Sequence, residues 1–431
     1  MHRLAAGAIA FVLCIPAAPA RAVEPSVLRE KVAALEPKVI EWRRDLHAHP
    51  ELGNREFRTS ALVAEHLRAL GMEVRTGIAH TGVAALLEGG KPGPLVALRA
   101  DMDALPVTEQ TGLPFASQVT VEYEGQQTGV MHACGHDAHV AILMGVAELL
   151  AGMRDELTGS VLFIFQPAEE GPPEGEEGGA ELMLKEGLFE WRKPDAVFGL
   201  HVFSTITAGR IGYRAGPAMA ASDSFRIKVT GRQTHGSRPW GGIDPVVPAA
   251  QIVLGLQTIA SRQVDISRVP AVISVGSIHG GIRSNIIPDD VTLVGTIRTF
   301  DEGIRDDIHA RVEHTATHLA SSSGAQADVH IHRGYPVTAN DPELVAASLP
   351  NLRRVVGEDR LLEMPLVTGA EDFSYFANEV PGFFFFLGAT PEGVDAATAP
   401  SNHSPLFDTD ESTLSVGVEA LATVALDFLG R

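Results

Sequence analysis

Residues 161–165, 196–200 and 383–387 are unbroken apolar runs, each followed by polar or turn-forming residues. They are too short for core helices and too apolar for strands with one wet face. They read as strands buried on both sides of a sheet, which requires an α/β architecture with helices on both faces. The amphipathic segments agree. Residues 26–49 carry Val27, Val32, Leu35, Val39, Trp42 and Leu46 at helical spacing and stop at Pro50. A second helix is expected over 60–70 with Gly71 as its stop, and a third over 139–151 with Asp137 as its cap. Further helices are expected over 342–356 and from 412 onward.

The texture changes near Ala218. Residues 224–230 alternate apolar and polar, 272–278 and 291–299 read as strands, and 248–261 and 304–319 as helices. With 330–332 as a last strand, the order is strand–helix–strand–strand–helix–strand, a ferredoxin-like α+β unit. The expected organisation is a leader (1–22), a large α/β/α domain in two parts (23–218 and 331–431), and a smaller domain inserted over 219–330. The leader combines the basic start Met1-His2-Arg3, an apolar stretch over 4–15 and the small-x-small site Ala20-Arg21-Ala22, as in a secretory signal peptide. Its apolar stretch is too short to span a bilayer comfortably. The mature chain is therefore expected to be periplasmic or secreted, with no membrane partner after cleavage. Asp+Glu number 54 against 34 Lys+Arg. No basic footprint for nucleic acid results. Two cysteines, one in the leader, cannot form a disulfide framework.

Candidate chemistry gathers where the apolar segments end. Residues 95–98 lead to Asp101 and Asp103, which face one side if the extended backbone continues. The segment 131–139 carries five potential ligands: His132, Cys134, His136, Asp137 and His139. Residues 161–165 lead to Glu169 and Glu170, and 196–200 to His201. Ligands of open α/β sheets bind beyond the carboxyl ends of strands. Cys134, His136, Glu170 and His201 mix thiolate, imidazole and carboxylate, which suits a first-row transition metal and not an all-oxygen calcium site. The plain alternative for Cys134 is a buried structural cysteine. Glu169 and Glu170 point opposite ways on an extended backbone, so one can bind metal while the other acts as general base; a solvated acidic loop is the alternative. His314 and His318 have zinc-protease spacing but lack the glutamate after the first histidine, and read as a solvated face. No Gly-x-Ser-x-Gly occurs, which disfavours a serine hydrolase.

The segments 43–51 (RRDLHAHPE), 98–106 (LRADMDALP), 131–137 (MHACGHD), 165–170 (FQPAEE), 199–202 (GLHV), 368–373 (TGAEDF) and 403–405 (HSP) occur in order across nearly the whole mature chain. In these the sequence resembles the M20 metallopeptidases, specifically the amidohydrolase branch of hippurate and auxin-conjugate hydrolases. The resemblance implies a metal-binding catalytic domain with an inserted lid and dimerisation domain, hence a homodimer. It also implies two divalent transition-metal ions per subunit (zinc, manganese, cobalt or nickel), held by Cys134, His136, Glu170, His201 and His403. Glu169 matches the general base, and Asp103 the acidic residue that orients a ligand near the metals. His235, Asn285 and Arg298 match substrate-binding residues of the lid. The implied function is hydrolysis of N-acyl amino acids. A dipeptidase or carboxypeptidase of the same superfamily is the nearest alternative. A non-catalytic metal- or ligand-binding protein is the alternative of another class, against which the retained Glu169 argues. The lid segment 233–240 (QTHGSRPW) departs from the small-residue version common in the branch, which bears on acyl specificity.

Overall fold

The computed structural model describes residues 24–431; the expected signal peptide lies outside the described residues. Helix α1 (Pro25–Ala48) and α2 (Phe57–Ala69) precede strands β1 (Glu73–Ile78), β2 (Gly82–Glu88) and β3 (Lys91–Asp101). Then come α3 (His136–Ala151), β4 (Thr158–Gln166), β5 (Ala196–Thr207) and β6 (Ile211–Tyr213). The inserted unit comprises β7 (Ala221–Thr230), α4 (Val246–Thr258), β8 (Ala271–His279), β9 (Asp290–Thr299), α5 (Glu302–Ser322) and β10 (Gln326–Arg333). The chain returns through α6 (Pro342–Val356), β11 (Leu361–Glu363), β12 (Gly382–Thr390) and α7 (Ser412–Leu429).

The main sheet has the order β1-β2-β4-β3-β5-β12-β6-β11. Its centre, β4-β3-β5-β12, is parallel. The apolar runs are buried on both faces because successive side chains alternate. Phe383, Phe385 and Leu387 enter the core shared with α1, α3 and α7, while Phe384 and Phe386 enter the core on the opposite face with Phe373 and Phe376. Residues 161–165 divide in the same way. Helix α7 is long and apolar enough to cross a membrane by length and composition, but its Leu414, Val418, Leu421 and Val424 are buried in the first of these cores.

The second sheet, β8-β9-β7-β10, is antiparallel throughout and follows the expected strand–helix order. Phe225, Ile227 and Val229 of β7 face Ile252 and Leu256 of α4 and Ile308 and Val312 of α5 in a separate core. Helices cover one face only, so the alternate residues Arg226 and Lys228 remain exposed.

Two expectations need correction. Helix α3 starts at His136, not His139, and Asp137 does not cap it. The N-cap is Gly135, at φ 90°, and Asp137 lies in the first turn, buried against Arg43 and His47. His201 does not lie beyond a strand end but inside the twelve-residue β5. It does lie beyond the last residue paired with β3, because that pairing stops at Arg99↔Gly199 while His201 stays paired with Phe386 of β12.

Candidate active site

Gly135 places His136. Its φ of 90° is a left-handed conformation that favours glycine, and a Cβ there would lie 2.3 Å from Val202 Cγ2. The tight turn lets Cys134 and His136, on either side, face one point. His136 Nδ1 sits 3.2 Å from Asp103 Oδ1, so the proton lies on Nδ1, while the buried Nε2 has no hydrogen-bond partner among the described residues. His201 is oriented likewise: Nδ1 donates to Val202 O at 2.8 Å and Nε2 lies 3.4 Å from Cys134 Sγ.

The two glutamates are not separated by an extended backbone, as the sequence suggests. Ala168, at φ 51°, turns the chain after β4. Buried Glu56 accepts the Ala168 N–H (2.9 Å) and the Thr81 hydroxyl (2.5 Å). Asp103 accepts the N–H groups of both Glu169 (3.0 Å) and Glu170 (2.9 Å). The side chains then take different neighbours, although both keep a carboxylate oxygen near His136. Glu169 is buried, with Oε2 3.8 Å from His136 Nε2. Glu170 Oε1 is 3.1 Å from His403 Nε2, without the alignment of a hydrogen bond. His403 itself adopts φ 71°, held by its N–H to Ala133 O and by Asn402, whose amide donates to Cys134 O and Val202 O. Two non-glycine residues in left-handed conformations thus flank the site, where such strain tends to occur.

Ligand atoms of Cys134, His136 and His201 come within 4.8 Å of one another, as do those of Cys134, Glu170 and His403, and of His136, Glu169 and Glu170. These residues could hold metal, and the donor chemistry fits. The buried imidazole nitrogen of His136 is unpaired. Burial and the Glu170 and Glu169 carboxylates push the Cys134 thiol up, so a thiolate there needs a cation beside it. Burial, then the Glu371 and Glu170 charges, push the Glu169 carboxyl well above the usual range; a cation beside it would draw it back toward the ionised form that a proton acceptor needs.

Of the five potential ligands in 131–139, His132, Asp137 and His139 lie outside these three groups, although His139 stands beside His136 and Asp101. His139 places Nδ1 2.5 Å from Asp101 and accepts the Val202 N–H on Nε2. Asp137 meets Arg43 and His47, and neither ring nitrogen of buried His132 has a partner. Asp101 and Asp103 do converge, on His136, at 3.7 and 3.2 Å.

The three lid residues do not touch this cluster. His235 is exposed on a two-residue strand paired with Ile286–Ile287, and its Nδ1 accepts the Ser237 N–H (3.0 Å). Asn285 is its neighbour: Asn285 O accepts the Gly236 N–H. Arg298 on β9 is half-buried, and burial lowers its guanidinium despite nearby Asp223.

Sequence reasoning missed the support behind the cluster. Arg99, fully buried, donates to Gln166 Oε1 (2.8 Å), Asp101 (2.6 Å), Glu371 (2.8 Å) and Asp372 (2.9 Å). A charged residue at the end of an apolar strand was the one available signal. Tyr335, whose hydroxyl donates to Glu169 O at 2.7 Å, gave none.

A helix-covered sheet that gathers thiol, imidazole and carboxylate groups around a buried glutamate defines a metallohydrolase. Residues 97–427 match peptidase family M20/M25/M40. The chain is 41% identical over 94% of its length to thermostable carboxypeptidase 1 of Saccharolobus solfataricus, covering 98% of that protein. It is 38% identical over 92% to IAA-amino acid hydrolase ILR1-like 2 of Arabidopsis thaliana (87% covered) and 36% identical over 89% to N-acetyl-L-cysteine deacetylase of Bacillus subtilis (86% covered). A dinuclear metal-binding M20 peptidase of Bacillus subtilis superposes with a TM-score of 0.75 at 34% identity, over 91% of this chain and 98% of that one. The chain belongs to the M20 family and is a metal-dependent hydrolase of amide or peptide bonds.

Proposed function

We propose that this protein is an exported amidohydrolase that cleaves the amide bond of N-acyl amino acids, with Glu169 as general base. The observation that carries the reading is the set of overlapping donor groups that Cys134, His136 and Glu170 join, linking buried Glu169 to His201 and His403, with a His136 Nε2 that has no partner among the described residues. Cys134, His136, Glu170, His201 and His403 would hold two divalent transition-metal ions; the thiolate favours zinc, and manganese, cobalt and nickel fit the remaining donors. Ions bound there supply a water that ionises near neutral pH and a charge that polarises the scissile carbonyl. Glu169 takes the proton of the attacking water and delivers it to the leaving nitrogen. Asp103 fixes the two glutamate N–H groups and the His136 tautomer, which keeps that carboxylate in place.

Lid residues complete the site. His235, with Nδ1 occupied by Ser237, presents Nε2 to solvent and would steady the developing oxyanion when the domains close. Asn285 beside it and the half-buried Arg298 would bind the substrate's carboxylate end, Arg298 through a bidentate pair. Strand β8 lies at the edge of the second sheet, and a sheet edge left open in this way supports a homodimer through this domain. The basic, apolar and small-residue order of 1–22 supports export.

Amine release from N-acetyl, N-benzoyl and longer N-acyl amino acids and from dipeptides, with metal loaded or chelated, tests the reading. Chelator-sensitive release from acyl amino acids is expected. Release from dipeptides alone would favour the peptidase reading, which the carboxypeptidase relative supports. No turnover with metal bound would overturn both.

A further inference from the structure

Both crossings between the two sheets pass through one knot. Strand β7 opens the inserted domain at Ala221 and β10 closes it at Arg333. Ser222 N donates to Tyr335 O at 3.0 Å, joining one crossing to the other. Buried Asp223 accepts Arg305 Nε (2.9 Å), Arg305 Nη2 (2.5 Å) and the Gly334 N–H (3.1 Å), and lies 2.6 Å from His309 Nε2. Arg305 also donates to Gly334 O at 3.0 Å. Helix α5 of the inserted domain therefore grips the first residues of the return segment. Tyr335 comes next, and its phenol donates to the main-chain oxygen of Glu169 at 2.7 Å. Three residues later the Thr338 hydroxyl donates to Glu371 O at 2.9 Å.

The peptide carrying Glu169 depends on such ties. Ala168 before it is left-handed, a conformation that costs a non-glycine residue about 1–2 kcal/mol. The N–H groups of Glu169 and Glu170 are both held by Asp103. Among the described residues, the Tyr335 hydroxyl alone donates to Glu169 O. Burial, with Asp372 and Glu169 nearby, pushes the phenol well above its usual range, so it stays a donor at any assay pH.

Resting on the reading of Glu169 as general base, we propose that Tyr335 is a positioning residue: anchored at the root of the inserted domain, it holds the backbone that carries the base in its working place. Such a tether to the reacting group matters because displacements of about 1 Å at the reacting atoms cost up to 10²-fold in rate.

Tyr335→Phe removes one oxygen and keeps the ring that packs edge-on to Tyr375 at 6.2 Å. The test uses the metal-loaded enzyme and the acyl amino acid that the wild type cleaves best. The stability control is Ser348→Ala, which deletes a buried hydroxyl-to-carbonyl bond on α6. The expected result is a kcat at least about tenfold lower, with KM and metal content unchanged and a Tm no lower than that of the control. An unchanged kcat overturns the proposal. So does a loss of kcat that follows lost metal, a raised KM or a Tm below that of the control. A wild type that binds metal and cleaves nothing overturns the reading of the site itself, which keeps the two failures apart.

Discussion

Asp103 sits 3.2 Å from His136 Nδ1 and at the same time accepts the N–H groups of Glu169 and Glu170. One carboxylate thus fixes the tautomer of a metal-ligand candidate and the backbone that carries both glutamates. Partners of this kind typically alter metal affinity by 10–100-fold. Asp103→Ala is expected to weaken metal binding by about that factor, measured by competition with a chromogenic chelator. Unchanged affinity would show that His136 and the glutamates hold their places without it.

Arg99 stands among Asp101, Glu371 and Asp372, all fully buried. Removing it leaves several carboxylates in the interior with no guanidinium, and breaking a buried pair by removing one partner costs about 3–5 kcal/mol. Arg99→Met is expected to lower the free energy of unfolding by at least about that amount, read from urea denaturation. A loss below about 1 kcal/mol would mean that water or protonation replaces the arginine readily.

His47 makes stability depend on pH. Burial alone would lower its imidazole, but the Asp137 charge and the bonds to Asp137 and Glu109 carry it up to about 9. A histidine raised above its unfolded value, about 6.5, adds stability that is complete below pH 6.5 and is lost as pH climbs through about 9. The shift corresponds to about 3 kcal/mol at most. Urea midpoints are expected to fall between pH 6.5 and 9 in the wild type, and to fall less in His47→Gln. Equal slopes in the two proteins would contradict the assignment.

Local pattern decides how much of this was legible in the sequence. The residues of 161–165 and 383–387 carry their burial in their own composition, and the order of elements in the inserted domain follows from periodicity alone. What failed depends on distant partners. His201 looks like a strand end because nothing local says that β5 continues after its pairing with β3 ends at Arg99. Asp137 looked like a helix cap because Arg43 and His47, which claim its carboxylate, lie some ninety residues earlier. Arg99 meets Glu371 across 272 residues, and Tyr335 meets Glu169 across 166. Cys134, His136, Glu170 and His201 were visible because they sit in short polar segments beside apolar runs, and His403 through the family resemblance alone. The residues that hold them were not, because each pairing is made by the fold.

The central claim is that Glu169 moves the proton at a metal-bearing site, and the direct test is Glu169→Gln with turnover and metal content measured on the same sample. The amide keeps size and shape but cannot act as a base. The account predicts a kcat lower by about 10²–10⁴-fold, the usual range for a general base, with metal content equal to the wild type. Turnover within a few-fold of the wild type, or loss of activity only together with metal, would contradict it.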